Sequence, residues 1–77
     1  MDNRQLYLDL LKRHDISQKR SAILVAAITQ RPCSERTVRS WLNDPEKPSS
    51  RPCPDWALSA LRKAIEYMIR AVEKRKE

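Results

Sequence analysis

Apolar residues recur at helical spacing in four stretches of the chain, and polar or proline-containing segments separate these stretches. In the first stretch, leucines share one side of a helix at Leu6, Leu10 and Leu11. Either Asp2 or Asn3 can cap the free amides at the start of this helix, which we expect to end near His14. The pattern therefore predicts a short amphipathic helix as the first element.

The second stretch, SAILVAAI over residues 21–28, is apolar on nearly every side. Its alanines favour a helix over a strand, and Ser17 is an N-cap that starts this helix at Gln18. Pro32 lacks an amide donor and forces Arg31 out of α geometry, so we expect the proline to end the helix. The apolar character predicts a central helix that its neighbours cover on several sides.

A third, short helix is predicted from Glu35 to about Asn43, with Ser34 as its N-cap. Its inward positions are Val38, Trp41 and Leu42. Its outward positions are Glu35, Arg36, Arg39, Ser40 and Asn43. We expect Trp41 to be a core residue that holds this helix against the first one. The third helix is thus predicted to present a polar, cationic side to solvent.

The last stretch follows a surface loop over residues 44–54, where four prolines and two serines in eleven residues exclude a helix. Pro54 suits a first-turn position and Asp55 complements the helix dipole, so we predict a helix over residues 54–75. Apolar residues occupy an arc of roughly 220° on it, about twice what packing on its own domain requires. The excess predicts a dimer interface formed by Trp56, Leu58, Leu61, Ile65, Met68, Ile69 and Val72. The open alternative is that the first two helices cover the whole arc in a monomer.

Composition favours an all-α fold of four to five helices in one domain over residues 1–77. The chain contains no glycine and no phenylalanine, and its 40% of hydrophobic residues suffices for one core but not for a deep catalytic pocket as well. One histidine and scattered acids form no catalytic constellation, so we expect no enzyme activity, small-molecule substrate or cofactor. Cys33 and Cys53 with His14 are too few for a structural metal site, and we expect reduced thiols.

The sequence also predicts a cytoplasmic location. Its first residues lack a basic segment followed by an apolar one, as a secretory leader would have. The longest apolar run, residues 22–28, is far too short to cross a bilayer, so no membrane partner is expected.

Positive charge is concentrated in the middle of the chain. The sequence has 16 Lys and Arg against 10 acids, a net charge of +6, and seven of the cations with only two acids lie from Lys12 to Arg39. Such a concentration is expected of a surface that displaces counterions from nucleic-acid phosphates. The alternative is a solvated basic face without a partner.

Two segments, SQKRSA over residues 17–22 and SERTVRSWL over residues 34–42, resemble the helix-turn-helix of phage repressor and Cro-type regulators. The matching residues are the glutamine after a polar position, the small residue four positions later and the bulky residues of the second helix: Gln18, Ala22, Val38, and Trp41 or Leu42. The chain departs from that family in having a longer spacing between Ala22 and Val38 and no turn glycine. We therefore expect a second helix more than a turn longer, and a turn that contains Pro32.

A proline-rich loop and a C-terminal dimerisation helix follow this motif, which covers about residues 17–43. In this order of elements the chain is similar to the small anti-CRISPR-associated repressors of phages and mobile elements. The resemblance implies a homodimer that represses transcription by reading a palindromic operator in double-stranded DNA through the major groove. The rival hypothesis is a protein-interaction module, like an antitoxin or a polymerase adaptor, whose basic face is incidental.

The resemblance and the charge pattern together imply two sets of DNA contacts. Bases would be read by Glu35, Arg36, Arg39 and Ser40, because guanidinium can donate two hydrogen bonds to guanine and a carboxylate can accept one from cytosine. Phosphates would be contacted by Ser17, Gln18, Lys19, Arg20, Arg31, Ser34, Thr37, Asn43, Lys47, Ser49 and Arg51. For the loop residues in this set, an inert linker is the open alternative.

Overall fold

The described residues form a single domain of four helices, and the prediction of an all-α fold is confirmed. The computed structural model describes residues 2–44, 46–48 and 50–75, with side chains as far as residue 72. The helices are α1 (Asn3–Arg13), α2 (Gln18–Thr29), α3 (Glu35–Leu42) and α4 (Asp55–Arg75). No strand occurs in the described ranges.

Three helices begin at capping residues that the sequence predicts. The capping oxygens accept hydrogen bonds of 2.9 to 3.2 Å from the amide three positions later, in the pairs Asp2 with Gln5, Ser17 with Arg20, and Ser34 with Thr37. Each bond satisfies an amide that has no carbonyl partner in the first turn of its helix. α4 begins one residue later than predicted, because Pro54 precedes the helix and its carbonyl accepts from Ala57 and Leu58.

α2 ends at Thr29 with Gln30 as its C-cap, two residues before Pro32, which corrects the prediction that the proline ends the helix. Gln30 has φ 58° and ψ 31°, a left-handed backbone, and its amide donates to the carbonyl of Ala26 at 2.9 Å. A left-handed residue ends a helix because it turns the chain away while its amide still satisfies a carbonyl of the last turn. Glycine usually takes this position. In a chain without glycine, Gln30 adopts the conformation instead.

Contrary to the prediction, neighbours cover α2 on one side only. Its buried residues are Ser21, Ala22 and Val25, whereas Ile23 is 61% exposed and Ala27 is also exposed. α2 packs on α3 and α4, and these contacts leave its opposite side in solvent. The prediction failed because a stretch without charged residues does not indicate which of its sides lacks a neighbour.

Three aromatic rings are in contact from the buried Tyr7 and Trp41 to the partly exposed Trp56. The ring of Tyr7 is fully buried and meets Trp41 edge to face at 6.1 Å between centroids, and Trp41 meets Trp56 in the same way at 5.8 Å. The Tyr7 hydroxyl donates to Ser21 Oγ at 3.0 Å, and Ser21 Oγ donates to the carbonyl of Gln18 at 2.8 Å. Burial raises the pKa of Tyr7 to about 12. Trp41 thus attaches α3 to α1, as predicted.

The rest of the domain covers the apolar side of α4 only as far as Ile65. The buried residues of this side are Ala57, Leu58, Ala60, Leu61, Ala64 and Ile65. Beyond them, large apolar side chains are exposed, with 52% for Tyr67, 46% for Ile69 and 54% for Val72. The molecule is correspondingly long, with principal extents of 49 × 25 × 18 Å.

Replacing Gln30 by glycine is expected to stabilise the domain by roughly 0.5–1 kcal/mol, because glycine adopts the left-handed backbone without a Cβ clash. Urea unfolding followed by circular dichroism measures the change. Ala27→Gly is the control, since the same new residue in the exposed interior of α2 should destabilise by about 1 kcal/mol. A loss of stability in both variants would contradict the assignment of Gln30 as the left-handed terminator.

Stability is expected to fall as the pH rises from 10 towards 12, because the pKa of Tyr7 is about 12 in the folded chain against 10.0 for an ordinary tyrosine. The unfolded chain loses its proton first, so the contribution is complete below pH 10 and is lost as the pH rises through this interval, by roughly 1–3 kcal/mol. Urea unfolding at pH 9 and pH 11.5 tests it. Tyr7→Phe should reduce this fall, whereas Tyr67→Phe, which alters an exposed tyrosine, should not.

Candidate nucleic-acid interface

α3 presents a cationic side to solvent because its apolar side is anchored in the core. The buried side consists of Val38, Trp41 and Leu42. The opposite side, an arc of about 100° at 100° per residue, consists of Arg36, Arg39, Ser40 and Asn43. Arg36 and Arg39 are exposed, while Ser40 and Asn43 are partly exposed. The outward positions predicted for this helix are confirmed, except that Glu35 lies at the edge of the arc.

The two guanidinium groups of α3 differ in their partners. Arg39 Nη2 lies 3.3 Å from Glu35 Oε1 one turn earlier, and both side chains are exposed. Such an exposed pair contributes less than about 1 kcal/mol, so Arg39 can exchange Glu35 for another acceptor. Arg36 makes no ion pair within the part of the chain that the structure describes. Arg36 is therefore the cation of α3 that is most available to a ligand.

The hydroxyl groups around α3 already take part in local hydrogen bonds. Ser34 Oγ lies 3.1 Å from Thr37 Oγ1, and Ser40 Oγ donates to the carbonyl of Thr37 at 2.6 Å. Because a hydroxyl has one donor and two acceptor sites, Ser40 in this conformation can accept a hydrogen bond but has no hydrogen left to donate. Ser40 is suited to an amino group of a base and not to a phosphate oxygen.

The side chains predicted to contact phosphates are spread over the start of α2, the turn before α3 and the proline-rich loop. Lys19 and Arg20 are exposed in the first turn of α2, behind the capping residue Ser17, while Gln18 is partly exposed. Lys47 is exposed in the loop. Ser49, which belongs to the same predicted set, lies outside the described residues.

Arg31 has a contact that the sequence did not reveal. Its guanidinium carbon lies 5.3 Å from the centroid of the Trp56 ring, which in turn packs against Trp41. A cation over an indole at an exposed site gains about 0.5–1 kcal/mol, and Arg31 itself stays exposed. Arg31 and Trp56 thus join the turn before α3 to the start of α4 within one chain.

The proline-rich loop is folded against the C-terminal end of α3 and is not an unattached linker. The amide of Arg51 donates to the carbonyl of Ser40 at 2.9 Å. Arg4, at the start of α1, donates from Nε to the carbonyl of Leu42 at 3.2 Å. Arg4 was not predicted to be a site residue, because nothing local in the sequence indicates a contact between residues 38 positions apart. These contacts attach residue 51 of the loop and the start of α1 to the C-terminal end of α3.

The residues predicted for the dimer interface separate into two groups. Leu58, Leu61 and Ile65 are buried in the core of their own chain, so assigning them to a dimer interface was wrong. Trp56 is exposed in part but packs against Trp41. The reason is that the core of the same chain covers the apolar arc of α4 over its first three turns and leaves it uncovered over its last turns. The prediction had instead assumed a second apolar side along the whole helix.

The uncovered apolar side of α4 includes three of the predicted dimer residues and two that were not predicted. Met68, Ile69 and Val72 were predicted, and Met68 is the one that is partly buried. Tyr67 and Ala71 lie on the same side at 100° per residue, and both are exposed. The ion pair of Glu66 and Arg70, at 2.7 Å, lies on the other side of the helix. We call the five apolar residues, Tyr67, Met68, Ile69, Ala71 and Val72, the α4 end patch.

Comparison of the chain with protein-family models, curated proteins and solved structures gives no match. The resemblance to phage repressor and Cro-type regulators therefore stays a prediction. None of the helices in the described ranges combines the length and the apolar character that crossing a membrane requires. Over the same residues, no three His, Cys, Asp or Glu side chains are grouped as a metal ion would need.

The two cysteines are free thiols. Burial raises the pKa of Cys33, and it raises the pKa of Cys53 to about 11. Both groups are therefore protonated at neutral pH, which suppresses their reactivity as nucleophiles.

Proposed function

We propose that the protein is a sequence-specific transcription regulator that inserts α3 into the major groove of double-stranded DNA. The observation that carries this proposal is α3 itself, anchored by Val38 and Trp41 with two exposed guanidinium groups on its outer side. Its eight residues make a helix about 12 Å long, which is close to the width of the major groove. α3 is therefore short enough to lie across the groove with neither end blocked by a continuing helix.

In this proposal the outer side of α3 reads base edges. Arg36 donates two hydrogen bonds to the O6 and N7 atoms of a guanine, without first breaking an ion pair. Arg39 does so by exchanging Glu35 for a base, which leaves the carboxylate to accept from a cytosine amino group. Ser40, whose hydrogen is already donated to Thr37, accepts from a base amino group.

Phosphate contacts supply most of the affinity in this proposal. The exposed cations are Lys19, Arg20, Arg31, Lys47 and Arg51, and the chain carries a net charge of +6. Each cation that neutralises a phosphate releases condensed counterions, so the affinity decreases steeply as the salt concentration rises. We expect the protein to act in the cytoplasm, where a phage or mobile-element repressor meets its operator.

The proposed active form is a homodimer that pairs through the α4 end patch. The patch continues the side of α4 that is buried in the core, so it consists of the residue types of a helix–helix contact without the partner helix. In a symmetric dimer two copies of the patch face each other, and two α3 helices about 34 Å apart match a palindromic operator. Binding of one operator to both copies adds to the stability of this dimer, because the DNA holds the two chains together.

Arg36→Ala is expected to weaken binding to the preferred sequence by about tenfold to a hundredfold while leaving binding to unrelated duplex nearly unchanged, because it removes a base contact of about 1–3 kcal/mol. Selection from random duplexes identifies the preferred sequence, and fluorescence anisotropy gives both affinities. Arg39→Ala should behave in the same way. Lys47→Ala, which removes an exposed loop cation, should weaken both affinities equally.

The same measurements separate the regulator from the rival, a protein-interaction module whose partner covers the α4 end patch. A wild-type chain that binds no duplex, or binds it without dependence on salt, would favour the rival.

Ile69→Glu and Val72→Glu are each expected to shift the protein towards the monomer, because a carboxylate buried in the dimer contact would have no partner. Analytical ultracentrifugation over a range of protein concentrations, with and without operator DNA, measures the association. Ile23→Glu is the matched control, since Ile23 is exposed on α2 outside the patch and its replacement should leave the association unchanged. An equal effect of all three substitutions, or a wild type that is monomeric even on DNA, contradicts the α4 end patch as the interface.

A further inference from the structure

An open recess lies at the C-terminal end of α3, beside the base-reading side but not part of it. Its volume is about 570 Å³, and it is lined by residues 2–4 of α1 and its cap, by Trp41, and by residues 50–53 of the loop. Arg4 and Arg51 contribute two positive charges to this lining and Asp2 contributes one negative charge. These three residues give the lining a net charge of +1, and the carboxylate of Asp55 lies next to the lining, where it accepts a hydrogen bond from Asn3. The buried Trp41 also lines the recess.

Both arginines of the recess are held at the last turn of α3 by hydrogen bonds that leave charged donors unused. Arg4 bonds the carbonyl of Leu42 through Nε, and its two terminal amino groups have no acceptor among the described residues. Arg51 bonds the carbonyl of Ser40 through its backbone amide, so its guanidinium is not needed for the contact. The Ser50 hydroxyl likewise has no partner in the described part of the chain. One carboxylate oxygen of Asp2, the N-cap of α1, accepts a hydrogen bond from the amide of Gln5 at 2.9 Å.

A helix C-terminus normally repels an anion, because its last carbonyl groups carry partial negative charge. At α3, two of these carbonyls, those of Ser40 and Leu42, are covered by a backbone amide and a guanidinium. The guanidinium of Arg4 adds a full positive charge at the same place. This end of α3 is therefore electrostatically suited to an anion, which the helix alone would not be.

We propose that the recess binds a phosphate group, with Arg4 and Arg51 donating to its oxygens and Ser50 adding a hydroxyl. The inference rests on the proposed function and deepens it, since the phosphate then belongs to the DNA strand that borders the major groove at the C-terminal end of α3. A helix about as long as the groove is wide brings its end close to that strand. Arg4 bonds Leu42 and the phosphate at once, so α1 helps to set how deeply α3 enters.

The first test measures how duplex affinity depends on salt for Arg4→Gln, Arg4→Lys and the control Arg13→Gln. Arg4→Gln should weaken binding about tenfold and reduce the slope of log K against log salt by about one, because one phosphate contact is lost. Arg4→Lys should keep the slope, because it keeps the charge. Arg13→Gln, which breaks an exposed pair with Asp9 on the same helix, should change neither quantity. An affinity loss in Arg4→Gln with an unchanged slope would reduce Arg4 to a structural cap and overturn the proposal.

The second test identifies the source of the phosphate. A neutral methylphosphonate replaces, one at a time, the phosphates that border the operator's major groove. At one position the wild type should lose about tenfold in affinity while Arg4→Gln loses nothing further. In the other arm of this test, inorganic phosphate is titrated into the DNA-free protein, and binding is monitored through the NMR signal of the Arg4 Nε–H. If the NMR shift saturates at millimolar phosphate in the wild type but not in Arg51→Gln, and no methylphosphonate position is coupled to Arg4, the recess binds a free phosphate and not the DNA strand.

The two arms also separate the inference from the proposed function. A wild type that binds no duplex contradicts the proposed function, and the inference then stands or falls with the titration of inorganic phosphate. A wild type that binds duplex with no methylphosphonate position coupled to Arg4, and that shows no shift with inorganic phosphate, overturns the inference alone.

Discussion

The edge-to-face contact between Tyr7 and Trp41 determines the orientation of α3, and the exposed features of the domain follow from that orientation. A tyrosine can be fully buried only if its hydroxyl finds a partner, since a lost hydrogen bond there costs about 1–3 kcal/mol. Ser21 is that partner, and it is itself buried in the first turns of α2. α1 therefore aligns α2 through a hydrogen bond and α3 through an aromatic contact. With Trp41 directed inward, helical geometry directs Arg36 outward.

The absence of glycine affects how the helices are joined. Among the residues that the structure describes, two have a left-handed backbone: Asp15 with φ 53°, after α1, and Gln30 with φ 58°, after α2. Each costs about 1 kcal/mol in a residue with a Cβ. The connection between α1 and α2 keeps this conformation at Asp15 because the amide of Ile16 donates to the carbonyl of Leu11 at 2.9 Å and the Ile16 side chain is buried. Packing of the apolar residue that follows the turn thus offsets the backbone strain.

Features that depend on neighbouring residues could be predicted from the sequence, and features that depend on distant ones could not. Ser17 and Ser34 start their helices because a capping hydroxyl needs only the amide three positions later. The exposure of Ile23 and the burial of Ile65 depend on which helices lie opposite, and a pattern of apolar residues has no information about that. For the same reason the contact of Arg4 with Leu42 was missed, although it is central to the recess.

The two surfaces in the proposed function depend on each other for specificity. One short helix reaches three or four base edges, and each good contact discriminates by about 1–3 kcal/mol. α3 carries two guanidinium groups, and Arg39 must exchange Glu35 for a base before it can read one, so a single copy has few strong base contacts. Meanwhile the charge of +6 attracts every duplex equally. A second copy joined through the α4 end patch doubles the base contacts, and their discrimination adds when both half-sites match. In the proposed function, the exposed apolar end of α4 is therefore the feature that would allow a generally cationic domain to distinguish sequences.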